Sequence, residues 1–184
     1  MKSNNLYKWI IVIAIILAVG IIAFAKLETT SSSNSSNNTQ NKTLTSNNVK
    51  TNTISFINQN NQTVNIGGRS NNTEVVFTME AGCADCAVLS ESLSQISKEY
   101  SNVKFYGVDI NSLDTYKELI PWVNSINHNV GDVSYVISKN SKFLEDYKVT
   151  SLDTVYIINK NGYLIYSKVL PSTNSIKSVL SSTS

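Results

Sequence analysis

The sequence predicts an α/β protein: a central mixed β-sheet flanked by helices, with an extra N-terminal β-hairpin and an N-terminal transmembrane helix. Three observations carry this reading. From Thr53 onward, β-rich segments alternate with segments of helical period, the pattern of parallel strand–helix–strand units. The last two β-rich segments flank Asn161-Gly162, a hairpin signal that puts an antiparallel pair into the same sheet. Finally, residues 9–25 carry no charge.

That uncharged run, Trp9 to Ala25, spans about 25 Å as a helix, against a hydrocarbon core of about 30 Å. Leu6 and Tyr7 extend it, and Lys2 and Lys8 reach headgroups by snorkelling. Positive charge ahead of the span keeps residues 1–8 cytoplasmic. The expected location is the cell membrane, single-pass, with the C-terminal domain extracytoplasmic. The competing reading is a signal segment cleaved after Ala25, since Ala23-Phe24-Ala25 fits the small-x-small pattern; the protein would then be secreted. Residues 26–52 are rich in Ser, Asn and Thr and nearly free of apolar residues, which predicts a flexible linker. Five N-x-Ser/Thr triplets begin at Asn34, Asn37, Asn41, Asn61 and Asn71, a composition effect as much as an acceptor signal.

Residues 53–184 form the folded domain, enough for one well-buried core. ISFINQ and QTVNIGG are two short strands around the turn NQNN, and EVVFTM is a third, more apolar strand. Val88, Leu89, Leu93, Ile96 and Tyr100 recur near helical spacing. NVKFYGVDI is a strand. SLDTYKELIPWVNSI is a helix opened by Ser112, with Pro121 expected to kink or interrupt it. VSYVISK is a strand, NSKFLEDYKV a short helix or turn, TVYIINKNGYLIYSKV a hairpin, and STNSIKSVLSS a closing amphipathic helix. A net charge of +2 is too small to argue for a nucleic-acid partner. Tyr116, Leu119 and Trp122 read as packing residues, and Asp109, Asp114 and Asp132 show no paired acid–base arrangement.

The chemistry concentrates in Gly82-Cys83-Ala84-Asp85-Cys86, which holds the only two cysteines. A Cys-x-x-Cys where an apolar strand meets a helix places a thiol at unpaired N–H groups and the positive end of the helix dipole, which favours the thiolate. Cys83 is expected exposed at the helix start and Cys86 one turn inward, close enough to resolve a mixed disulfide. The pattern points to a thioredoxin-like redox motif. A structural disulfide is permitted in an exported protein, though a loop this short constrains the unfolded chain little. Two thiolates also suit a soft metal ion, with His128 as the one imidazole to join them.

VVFTMEAGCADCAVLSESLSQISKEYSNVKFYGVDIN resembles the strand–CxxC–helix–strand core of the thioredoxin superfamily, and YKVTSLDTVYIINKNGYLIYSKV resembles its C-terminal half. The N-terminal hairpin and the export segment are similar to the membrane-anchored, extracytoplasmic branch typified by TlpA and ResA. The resemblance implies a thiol–disulfide oxidoreductase, with Cys83 attacking and Cys86 resolving, no cofactor, and protein dithiols or disulfides as partners. It also exposes departures. Gly82 stands where the family usually has an aromatic residue. Phe77 stands where many thioredoxins bury a carboxylate, with Glu80 a nearby substitute. Asp153 occupies the position of the family's cis-proline, and a cis bond without proline costs about 2.5–4 kcal/mol, so a trans peptide or a rearranged loop is expected there. Asp85 and Asp153 are both expected near Cys83, where negative charge disfavours the thiolate and predicts a reductant-like pair. Two alternatives stay open: a copper- or other metal-handling protein using the same thiols, and a degenerate thioredoxin-like binding domain with an inert pair.

Overall fold

The computed structural model describes residues 49–126 and 132–183. The expected membrane span, most of the linker and His128 lie outside the described residues. Among the described residues, no helix is long and apolar enough to cross a membrane.

The central sheet has six strands. In chain order they are β1 (Val49–Lys50), β4 (Thr73–Met79), β5 (Val103–Asp109), β6 (Val133–Ile137), β7 (Thr154–Ile158) and β8 (Tyr163–Val169), and across the sheet they run β1-β8-β7-β4-β5-β6. The β4–β5 and β5–β6 pairs are parallel, and β4–β7, β7–β8 and β1–β8 are antiparallel. Two further strands, β2 (Ile54–Ile57) and β3 (Thr63–Ile66), pair only with each other. The helices are α1 (Ala84–Glu99), α2 (Tyr116–Ile126), α3 (Lys142–Asp146) and α4 (Thr173–Ser182).

Every residue of β4 is buried, because the strand is central and covered on both faces. Val75, Phe77 and Met79 face a core completed by Leu89, Leu93 and Ile96 of α1, Leu119 of α2, and Ile176 and Leu180 of α4. Val76, on the other face, joins Ile54, Phe56 and Ile66 of the hairpin with Phe143 of α3 and Tyr147 just after it. The alternation of β4 thus feeds two cores at once. The extra hairpin is a structural layer, and among the described residues the short α3 packs on its face.

Local chemistry sets the connections. Asn58 turns the β2–β3 hairpin by accepting bonds at its side-chain oxygen from the N–H groups of Asn60 and Gln62, an Asx-type turn. The next residue, Gln59, accepts from the Tyr135 N–H and donates its own N–H to the Tyr135 carbonyl, which ties the hairpin to β6, an edge strand that would otherwise expose its hydrogen-bonding groups. Two segments differ from the sequence reading. Val49–Lys50, read as the end of the linker, pairs with β8 at the opposite edge. α2 begins at Tyr116: Thr115 caps it, accepting from Lys117 N–H at Oγ1, while the Glu118 carboxylate accepts from the Thr115 N–H and hydroxyl. This capping box outcompetes Ser112, which falls in the turn built by Asn111. Pro121 does not interrupt the helix; it lies on the exposed side, where the carbonyl it leaves free can meet water.

The β7–β8 hairpin forms as expected, but with a different turn. Gly162 donates to the Asn159 carbonyl and takes φ +82°, so it supplies the left-handed residue that closes a turn beginning at Asn159.

Gly107 in β5 has a packing reason. A Cβ there would stand 2.6 Å from the Tyr135 ring and 3.0 Å from Phe77, two rings that meet edge to face across this strand. Gly107→Ala should therefore lower stability by about 1–3 kcal/mol, the usual cost of overpacking a core, read as a lower denaturation midpoint with unchanged secondary structure.

Candidate functional site

Cys83 and Cys86 are joined as a disulfide at the start of α1. Cys83 is the N-cap: its backbone is extended, and its sulfur accepts from the Cys86 N–H at 3.2 Å. The turn exists because Gly82 takes φ +87°. No atom lies within 4 Å of a Cβ built there, so conformation and not space selects glycine. Cys86 is fully buried one turn inside, as expected, whereas Cys83, expected to be exposed, is half-buried against the core. Asp85 is exposed in the first helical turn.

Asp153 faces this pair. It sits just before β7, on a trans peptide with φ +57°, so the loop has left the conformation that proline would impose. Its carboxyl is buried, and Oδ1 has no hydrogen-bond partner among the described residues. One carboxylate oxygen and the two sulfurs lie within 4.8 Å of one another. Burial first, and then the charge of Asp85, raise the Asp153 carboxyl above its usual range.

The loop that carries Asp153 is fastened to the end of β4. The Asp153 N–H donates to the Thr78 carbonyl at 2.8 Å, and the Thr154 N–H to the Thr78 hydroxyl at 3.1 Å. That hydroxyl donates to the Ser151 carbonyl at 2.9 Å. On the other side, the Leu170 N–H donates to the Asp153 carbonyl at 2.8 Å. Five residues after Thr78, the same chain delivers Cys83, so one strand end positions both halves of the site.

Phe77 fills the core where the resemblance led one to look for a carboxylate. Glu80 does not replace it in the core; it lines an open cleft of ≈ 520 Å³ with Leu144, Val149 and Leu152, and its carbonyl accepts from the Cys83 N–H.

The buried acid that sequence reasoning missed is Asp109. Contrary to the expectation of no paired carboxylates, Asp109 and Asp114 are neighbours. Asp109 is fully buried at the end of β5, accepting at Oδ1 from the Asn111 N–H. Asp114 accepts from the Asn111 side chain and from the Ala81 N–H at 3.3 Å, two residues before Cys83. Burial, reinforced by the Asp114 charge, pushes Asp109 up to about 7 against the pull of its backbone bonds. Asp132 is exposed and does not join them. Glu74 in β4 is a second missed acid. It is raised to about 7 by burial while accepting from the Gly67 N–H at 2.7 Å, which anchors the far end of the hairpin. The readable signal for Asp109 is a carboxylate closing an apolar strand, with Asn111 and Asp114 following it.

No family model matches the chain, and no curated protein sequence matches it. Solved structures do. A thioredoxin-like protein from Aeropyrum pernix shares 18% identity with a TM-score of 0.59, over 71% of this chain and 89% of that one. A SCO1/SenC family lipoprotein from Bacillus anthracis shares 16% with a TM-score of 0.62, over 74% and 96%. The thioredoxin domain of a thiol-disulfide oxidoreductase from Bacteroides vulgatus shares 12% with a TM-score of 0.62, over 76% and 99%. Identities this low speak for the fold: the chain is an α/β protein of thioredoxin fold. Within that fold, its own features are a Cys-x-x-Cys disulfide faced by Asp153.

Two consequences can be measured. Thr78→Val keeps the shape but strands the buried Thr154 N–H and leaves the Ser151 carbonyl only the Thr154 hydroxyl as donor, and should destabilise by about 1–3 kcal/mol in denaturant unfolding. Asp109 and Glu74 have folded-state values raised above their unfolded ones, so each favours the fold at low pH. That contribution is complete below about pH 4 and is lost as pH rises through about 7. Stability should therefore fall between those limits, and Asp109→Asn should make the fall shallower, Glu74 and Asp153 retaining the rest.

Proposed function

We propose that the protein is an exported, membrane-tethered thiol–disulfide oxidoreductase acting on protein disulfides, in which Cys83 attacks and Cys86 resolves. The observation that carries this reading is the asymmetric pair: a partly accessible sulfur at a helix N-cap, bonded to a fully buried sulfur one turn inside. The likeness to the thioredoxin domain of a thiol-disulfide oxidoreductase supports it. The uncharged run from Trp9 to Ala25, with Lys2 and Lys8 ahead of it, supports the tether, and residues 26–48 then serve as its spacer.

In the reduced protein, the Cys83 thiolate attacks one sulfur of a substrate disulfide. A mixed disulfide forms and the first substrate thiolate leaves. Cys86, once it has lost its proton, attacks the Cys83 sulfur. The mixed disulfide breaks, the second substrate thiolate leaves, and the Cys83–Cys86 bond is restored. Two electrons pass to the substrate, whose thiolates take up protons according to pH, and a thiol or dithiol donor must return the electrons to the pair. Two features of the site bear on its redox poise. Unpaired helix N–H groups favour a Cys83 thiolate. Asp153 and Asp85 oppose it by charge, which favours protonated thiols and a reductant-like couple.

The test is a redox titration of the full-length chain in detergent, equilibrated in thiol–disulfide buffers and alkylated for mass analysis. A reversible two-electron transition, with a midpoint nearer to thioredoxin's roughly −270 mV than to DsbA's roughly −120 mV, is the expected result. A pair that never closes, or never reopens in the folded protein, removes the catalytic reading; a midpoint near DsbA's removes the reductant assignment alone.

A further inference from the structure

The same face of the molecule holds a donor set that thiol exchange does not use up. Asp153 is more than nine-tenths buried, with Oδ1 unpartnered among the described residues. A carboxylate oxygen withdrawn from water without a donor is costly, and backbone bonds on both sides of its loop hold it there. It lies with the two sulfurs inside a 4.8 Å circle. Once the disulfide is reduced, the site presents two thiols and a carboxyl whose negative forms repel one another. A cation relieves that repulsion and supplies the missing partner of Asp153.

We propose that the reduced protein binds a divalent zinc-class ion through Cys83 Sγ, Cys86 Sγ and the Asp153 carboxylate, with a fourth position left for water. Cys-x-x-Cys at a helix start is a ligand spacing typical of zinc sites, and zinc–sulfur bonds of about 2.3 Å and zinc–oxygen bonds of about 2.0–2.2 Å require donors roughly 3.5–3.8 Å apart. Opening the disulfide moves the sulfurs apart toward that separation, with Asp153 already beside them. The donor set selects the ion: two thiolates alone suit Cu(I), whereas a hard carboxylate oxygen as third donor favours a borderline divalent ion. The sequence offered His128, which lies outside the described residues, as a third ligand; among the described residues the third donor beside the sulfurs is Asp153. Binding releases the protons of the two thiols and changes no oxidation state. A loaded site cannot close its disulfide, so metal and oxidation compete for the same sulfurs. The inference needs only the reduced pair and does not depend on oxidoreductase activity.

The test uses the full-length chain in detergent, reduced by a phosphine and kept anaerobic. Zinc is titrated in competition with a chromophoric chelator, and cobalt(II) replaces it for spectroscopy. The expected result is one ion per chain, thiols protected from alkylation, and sulfur-to-cobalt charge-transfer absorption with the visible bands of a tetrahedral ion. Asp153→Asn and Asp153→Gly should each weaken zinc by about tenfold or more, a loss that even outer partners of a metal site can produce, and should alter the visible cobalt bands. Both residues tolerate φ +57°, so the fold is retained, and circular dichroism checks it. Reduced protein that takes up no zinc, or Asp153 variants with unchanged affinity and spectra, would overturn the proposal. The redox reading stands or falls separately: a reversible couple without zinc binding defeats the metal site alone, and zinc binding by a pair that cannot close defeats the oxidoreductase alone.

Discussion

The structure depends on how the end of β4 is tied. Thr78 gives its carbonyl to Asp153 and its hydroxyl to both Ser151 and Thr154, while the next few residues run into Gly82 and the disulfide. Both halves of the site are therefore measured from one buried strand end. Each of those bonds contributes about 1 kcal/mol net; their larger effect is geometric, because a loop bonded at three points cannot drift from the sulfurs it faces. Beneath the clasp lie two cores on opposite faces of β4, so the strand has little freedom to shift.

The electrostatics follow from that packing. Asp153, Asp109 and Glu74 are held in the fold largely out of water, and burial is the leading cause of the upward shift in each. Their surroundings give them different parts. Glu74 receives the Gly67 N–H and fixes the hairpin. Asp109 stands with Asp114 under the loop that enters the site. Asp109 Oδ2 and Asp153 Oδ1 are each buried without a hydrogen-bond partner among the described residues, and of the two acids Asp153 is the one beside the sulfurs. Phe77 stands where the resemblance implied a buried carboxylate, and the acids near the site come from the opposite loop and from the end of the adjacent strand.

Much of the fold was legible because its signals are local. Period and turn residues locate the strands from Ile54 onward and the four helices, and Cys-x-x-Cys at a strand–helix junction marks the site. What was not legible depends on competition or on distance. Ser112 and Thr115 are both good caps, and only Glu118, three residues after Thr115, decides between them. Val49–Lys50 is too short and polar to announce a strand, and β8 recruits it across more than a hundred residues. The pairing of Asp109 with Asp114 and the inward turn of Asp153 are tertiary facts, and no periodicity encodes them. The membrane span and His128 lie outside the described residues.

The left-handed backbone at Asp153 also bears on which substitutions this loop can take. Proline is confined to φ near −65°, so the present conformation at φ +57° cannot receive it by a change of side chain alone. Introducing a proline would require the stretch from Ser151 to Thr154, now bonded to Thr78, to be rearranged. Asparagine and glycine, by contrast, are sterically close neighbours of the present state. The positive φ thus limits which side chains this loop accepts without rebuilding: residues at ease in the left-handed region fit, and proline does not.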